Sequence, residues 1–170
     1  MKTFGRSLGL GLGALVLFAA VFTVLVTAQA PPAPAQPMSF FITGTPKGDG
    51  ANYGGLAGAD AYCQQLAAAA GRGAAKWVAY LSTQGPGAVN ARDRIGNGPW
   101  YNANSLLIAN NVAELHARTG DAALFVNEHG IRINGQWTGS PTPNEHDILT
   151  GSTGDGRVAP GLTCSDWTSD

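Results

Sequence analysis

Apolar positions occur in one long run near the start of the chain and in short bursts after it, each burst with its own period. Between Leu56 and Ala70 the spacing is helical. Ala59, Cys63, Leu66 and Ala70 fall at i, i+4, i+7 and i+11, one face of a helix. Gly71 stands where a helix end favours a residue free to take positive φ. From Lys76 to Ser82 the period becomes two, with Trp77, Ala79 and Leu81 on one side and Val78 and Tyr80 on the other. Both sides are apolar, which predicts a central strand buried on both faces.

Weaker bursts fill the remainder. Ser39 to Thr43 reads as a first strand, and Thr45 to Gly55 as a loop of Gly, Asp and Asn. Ala88 to Ile95 reads as a short helix or an irregular arm. Trp100 to Asn110 predicts a hairpin around Asn102-Ala103-Asn104. Asn111 to His116 is a short helix, capped by Asn110 or Asn111, with Val112 and Leu115 turned inward. Ala123–Val126 and Ile131–Ile133 frame a four-residue hairpin loop, Asn127 to Gly130, and Asn134-Gly135 marks a second turn. Gln136 to His146 is long and punctuated by proline. Ile148 to Thr150 is short and apolar, before a turn from Gly151 to Gly156. There is no internal repeat, and the mixture of elements is that of an α+β domain.

The long run belongs to an address rather than to the fold. Lys2 and Arg6 precede the nearly all-apolar Leu8–Val26, and Val26-Thr27-Ala28 and Ala28-Gln29-Ala30 both carry small residues at cleavage spacing. Residues 1–28 therefore read as a signal peptide. The alternative is an uncleaved anchor over residues 8–28, since about 20 apolar residues cross a bilayer. Residues 29–38 are a Pro/Ala-rich linker, extended and semi-rigid because proline fixes φ. Residues 39–170 form one domain by length. The expected location is secreted, periplasmic or at the cell surface, or membrane-anchored through residues 8–28.

Without Lys2 and Arg6, eight basic side chains face eleven acidic ones, a net charge of about −3. Nucleic acid and heparin are not expected as partners, since both want clustered cations. Charged residues are only 12% of the chain and glycines number 24, which suits a loop-rich domain with a surface of Asn, Thr, Ser and Gln. The two cysteines, Cys63 and Cys164, are a disulfide candidate in an exported chain.

Catalytic motifs are absent: no nucleophile elbow, no HExxH, no phosphate loop. Cys63 lies on an apolar helix face and reads as structural. Asp93, between Arg92 and Arg94, reads as a local ion-pair anchor. His116, His129 and His146 are scattered and form no zinc spacing. The chain is read as a non-enzyme. Trp100, Tyr101 and Trp137 sit in polar, glycine-rich surroundings, where aromatic rings are available to stack on sugars. Trp77 and Trp167 read as core, and semi-buried packing is the competing reading for Trp137.

Several segments in order resemble the endostatin domain of collagens and the endostatin-like, C-type-lectin-like domains of exported bacterial proteins. Ala59-Asp60-Ala61-Tyr62-Cys63 followed by Trp77-Val78-Ala79-Tyr80-Leu81 is similar to that domain's opening. Ala91 to Arg94, Trp100 to Ile108 and Val112 to Leu115 are similar to its middle. Leu149 to Ser152, Asp155-Gly156-Arg157 and Cys164-Ser165-Asp166-Trp167 resemble its later motifs. The resemblance spans about Met38 to Thr168. It implies a C-type-lectin-like fold with a long first helix, a short second helix and mixed antiparallel sheets.

It also implies four cysteines, of which Cys63 and Cys164 match the two earlier ones, and closing strands beyond Asp170. By that resemblance the domain is expected to be incomplete at its C-terminus. Alternatively it is a shortened form in which Cys63 and Cys164 pair, or both thiols stay reduced. A bridge closing so long a loop contributes up to about 4–5 kcal/mol.

Lectins of this fold hold sugar through calcium. Asn144, Glu145 and Asp147, on a proline-kinked loop, offer oxygen ligands, making a weak calcium candidate. The competing reading has Asn144 and Asp147 bonding within their own turn. The expected function is a non-catalytic exported module binding glycans through Asn144, Glu145, Asp147, Trp137, Trp100 and Tyr101. The alternative is a protein-interaction domain with an extracellular protein ligand and no sugar or calcium site.

Overall fold

The computed structural model describes residues 35–118, 121–135 and 137–169. The expected signal peptide or anchor of residues 1–28 and most of the expected linker lie outside these residues. Among the described residues no helix is long and apolar enough to cross a membrane.

The elements, in order, are helix α1 (Gly55–Ala69), a single 3-10 turn (Ala91–Asp93), strands β1 (Trp100–Tyr101) and β2 (Leu107–Ala109), helix α2 (Val112–Ala117), and a tight turn at Cys164–Trp167. The result is a small mixed helix-and-strand domain with one two-stranded antiparallel sheet. Most of the described residues are irregular, as the glycine content implies.

Helix α1 forms where the periodicity places it. Ala59 and Ala67 are its buried residues, and Gly71 leaves it at φ 76°. Three apolar clusters make the core. Ala59, Ala79, Leu81 and Trp167 form the first, with Cys63 and Cys164 packed against it. Trp100, Ile108, Ala109 and Leu124 form the second, covered by Phe40, Val112 and Leu115. Met38, Ala67 and Trp77 form the third. Trp77 meets Phe41 edge-on at 5.0 Å.

The predicted hairpin is present and turns on Asn102, whose side chain is fully buried. Its Oδ1 accepts from the amides of Asn104 and Leu106 at 3.0 Å, and its Nδ2 donates to the Leu124 carbonyl at 3.0 Å. Next in the chain, Asn111 caps α2 by accepting from the Glu114 amide at 2.9 Å. Val126 bridges antiparallel to Arg132 across the predicted Asn127–Gly130 loop.

Two strand expectations are corrected. Ser39 to Thr43 is extended but makes only an isolated parallel bridge, Ile42 to Asn127. Lys76 to Leu81 alternates as expected, with Trp77, Ala79 and Leu81 buried, and tightens at its end, where the Leu81 amide donates to the Ala79 carbonyl at 3.0 Å. Yet no neighbouring strand pairs with it among the described residues. We refer to it as the ribbon. Side chains of α1 occupy one edge of it instead.

The Cys164–Trp167 turn is left-handed, with φ of 49°, 52°, 55° and 69°. A left-handed residue with a side chain costs about 1–2 kcal/mol, and none of the four is glycine. Long-range bonds offset that cost. Asp166 accepts from the Gln84 amide at 2.8 Å and the Gly85 amide at 2.9 Å. The indole of Trp167, 0% exposed, donates to the Ser82 carbonyl at 2.8 Å.

Candidate functional site

A cleft of about 800 Å³ runs along the ribbon. Trp77, Ala79 and Leu81 contribute its buried lining, and Phe40, Phe125 and Ile133 add apolar wall. Ile131, Ile148 and Leu149 also line it while 62%, 45% and 59% exposed, a large apolar surface left to solvent.

Two polar residues one turn apart on α1 set the ribbon in place. Asp60 Oδ1 accepts the Ala79 amide at 2.8 Å, and its two oxygens take the Arg94 guanidinium at 2.9 and 2.8 Å. Arg94 also donates to the Ala79 carbonyl. Gln64 Oε1 accepts the Trp77 amide at 3.0 Å, while its Nε2 donates to the carbonyls of Gly73 and Ala75. Alternate amides of an extended chain point to opposite edges. Asp60 and Gln64 therefore use the edge of residues 77 and 79. On the other edge, the amides of Val78 and Tyr80 have no hydrogen-bond partner among the described residues.

Beside that edge, Tyr80 and His116 meet at 2.7 Å. His116 Nδ1 lies 2.6 Å from the Val112 carbonyl, which can only accept, so Nδ1 carries the proton. In the neutral ring Nε2 is then the acceptor and the Tyr80 hydroxyl donates. Burial raises the Tyr80 pKa, with the Arg92 charge opposing and Asp155 adding to the rise. Gly156 closes over the pair. Its φ is +80°, and a Cβ there would stand 2.2 Å from His116 Nε2 and 2.6 Å from the Tyr80 oxygen. The pair is a hydrogen-bonded tie between ribbon and α2.

Three of the sequence candidates, Trp100, Glu145 and Asp147, line the cleft, and Tyr101, Trp137 and Asn144 do not. Trp100 is 7% exposed and belongs to the second core cluster, so little of its ring is open to a ligand. Glycine-rich neighbours in sequence say nothing of what packs against a ring in space. Tyr101 is half-buried in β1, and its main chain takes Ser39 and Phe40. Trp137 is half-buried with the Arg132 guanidinium 5.4 Å from its ring, and does not line the cleft. Glu145 and Asp147 stand exposed at the cleft rim.

Asn144 Oδ1 accepts the His146 amide at 3.2 Å, and Asp147 Oδ1 lies 2.9 Å from His146 Nδ1. Both are thus engaged with their own turn, and the Asp147 side chain is 95% exposed. These residues do not converge into an oxygen cage, and no group of three or more His, Cys, Asp or Glu fit to hold a metal occurs among the described residues. The donor set does not fit calcium.

Both thiols are free, although they pack on one cluster, so no Cys63–Cys164 bridge is formed. Burial pushes the Cys63 thiol up to about 11, with the Asp60 charge adding to the rise and Arg94 opposing it. That is the reverse of an activated nucleophile. Asp93 does not anchor its flanking arginines. It accepts from Asn90 at 2.8 Å, while Arg94 pairs with Asp60 and Arg92 lies 3.8 Å from Asp155.

Sequence reasoning missed Asp60 and Gln64. Their signal was two polar residues at i, i+4 on a helix leading into an alternating segment. It also missed Glu128, a buried carboxylate that accepts the Gly44 amide at 2.9 Å. No family model, no curated protein and no solved structure matches the chain.

Proposed function

We propose that this chain is an exported, non-catalytic binding module that takes a polypeptide ligand in the cleft along the ribbon. The observation that carries this reading is the apolar cleft itself, walled by Phe40, Trp77, Leu81 and Phe125 and edged by exposed Ile131, Ile148 and Leu149. Apolar concavities of this size are the usual seat of a ligand. Among its polar groups, Tyr80 and His116 are tied to each other.

The finer fold assignment, an endostatin-like variant of the C-type-lectin-like fold, belongs to the same proposal. It is supported by the order of cysteine-bearing helix, aromatic ribbon, hairpin and short helix, with both cysteine elements on one core cluster. Export rests on the leader pattern of residues 1–28. The glycan reading loses support where Trp100 is core and Asn144 and Asp147 are bound to His146. Fold alone does not choose between the two, since one scaffold hosts many functions.

The test sets two ligand classes side by side. The protein is screened on a random displayed-peptide library and on a glycan array, each with and without calcium. Enrichment of peptides, with no glycan retention and no calcium-dependent rise in Tm, is the expected result. Calcium-dependent glycan retention overturns it in favour of a lectin.

A further inference from the structure

We infer that the polypeptide ligand binds by strand addition: one extended segment pairs with the open edge of the ribbon at Val78 and Tyr80. This rests on the reading just given and names the chemistry of its partner.

Three observations point to it. The first is the backbone. The amides of Val78 and Tyr80, and the carbonyls of the same two residues, make no hydrogen bond among the described residues, whereas Asp60 and Gln64 fill the opposite edge. Val78 and Tyr80 are half-buried residues, and amides and carbonyls taken from water without partners are costly. Alternating donors and acceptors along an extended backbone are satisfied best by another extended backbone. Four residues of strand, Trp77 to Tyr80, span about 13 Å, after which the Leu81 amide turns back to the Ala79 carbonyl.

The second is the recess. Trp77, Ala79 and Leu81 are buried and line a cleft rather than a protruding rim. A second copy carries the same recessed edge, and two recessed edges cannot meet. A single strand can enter, its side chains alternating between the apolar wall and solvent.

The third is charge. Lys76, Arg118 and Arg132 line the cleft against Glu145 and Asp147. Arg118 Nε is covered and has no hydrogen-bond partner among the described residues. Its guanidinium is only loosely paired, with Glu114 Oε1 at 3.9 Å, while Glu114 Oε2 accepts from the Asn110 amide and side chain. The occupant is therefore an extended segment with apolar residues at alternate positions and a carboxylate within reach of Arg118.

The experiment uses the full chain and one synthetic peptide, acetyl-Thr-Val-Thr-Val-Thr-Val-Asp-amide, with three controls: the same peptide N-methylated on the alternate amides of one edge, the same methylated on those of the other edge, and one ending in Asn. Hydrogen exchange at single residues is read by NMR and affinity by fluorescence anisotropy. On saturation, exchange at Val78 and Tyr80 slows at least tenfold while Trp77 and Ala79, already bonded to α1, change little. The peptide methylated on its pairing edge binds at least tenfold more weakly. Arg118→Gln weakens the Asp peptide about fivefold and leaves the Asn peptide unchanged.

A peptide that binds with Val78 and Tyr80 unprotected, or equally well after methylation on either edge, overturns strand addition and leaves the binding-module reading standing. No peptide binding here and none in the library screen overturns both. Protection at Val78 and Tyr80 that rises with protein concentration, without peptide, assigns the edge to a second copy and overturns the inference.

Discussion

The hairpin half and the ribbon half of this molecule solve the same problem in opposite ways. In the hairpin, β1 and β2 pair with each other, and Asn102 takes up the amides of Asn104 and Leu106 and the carbonyl of Leu124. Asn111 then closes the first turn of α2. Backbone groups there find partners close in sequence. The ribbon has one edge filled by side chains of α1 and the other left open, and it is held at its far end by residues more than 80 positions away. A region complete in itself has little need of a partner; a region with an open edge beside apolar walls is where a partner adds most.

The largest effect should come from removing the lock on the ribbon. Trp167→Ala deletes a fully buried indole from the cluster of Ala59, Ala79 and Leu81 and frees the Ser82 carbonyl. It should lose about 3–5 kcal/mol in denaturant unfolding, and an unchanged midpoint would mean the ribbon is held elsewhere. Next is Asn102→Ala in the closed half, which strands two amides and a carbonyl in a buried turn. It should cost about 1–3 kcal/mol, with the loss of protection greatest at Leu106.

Asn111→Ala, which removes only a cap, should cost about 0.5–2 kcal/mol, and Asn111→Asp should restore most of it. Smallest is a pH effect centred on Cys63. Its folded pKa of about 11 stands above the ordinary thiol value of 9.0. Between those values the unfolded chain loses the proton first, so stability is complete below pH 9 and falls as pH rises toward 11. Cys63→Ala should flatten that fall, measured by urea midpoints at pH 8, 9.5 and 11. Alkylation of native Cys63 should likewise stay slow at pH 8.

What could be read from the sequence was what local pattern controls. The face of α1 with Ala59, the helix end at Gly71, the Asn111 cap and the hairpin about Asn102 all follow from residues within a few positions of one another. The alternation of Lys76 to Ser82 placed Trp77, Ala79 and Leu81 inside correctly. A two-residue period fixes faces, however, and says nothing of what lies along the edges, so the central strand became an unpaired ribbon. Trp100 shows the same limit: its sequence neighbours are polar, while its spatial neighbours include Ile108 and Leu124. The left-handed turn was not legible at all, since no glycine announces it. Its cause is a carboxylate and an indole meeting backbone groups some 80 residues earlier. Asn144 and Asp147 looked like ion ligands because composition shows available oxygens and not what already holds them.

The left-handed turn has a consequence for the order of assembly. The long-range bonds that keep Cys164 to Trp167 in its costly backbone conformation reach back to Tyr53, Ser82, Gln84 and Gly85, and the others are made within the turn or to the residues flanking it. Such contacts close a very long loop, and contacts of high sequence separation form slowly. The Asn102 hairpin, built from neighbours two and four residues apart, needs no such closure. Folding should therefore run from the hairpin outward, with the indole of Trp167 entering the core last. The cleft beside the ribbon would acquire its floor only in that final step, so a nascent chain would stay unable to hold a ligand until nearly all of it had folded.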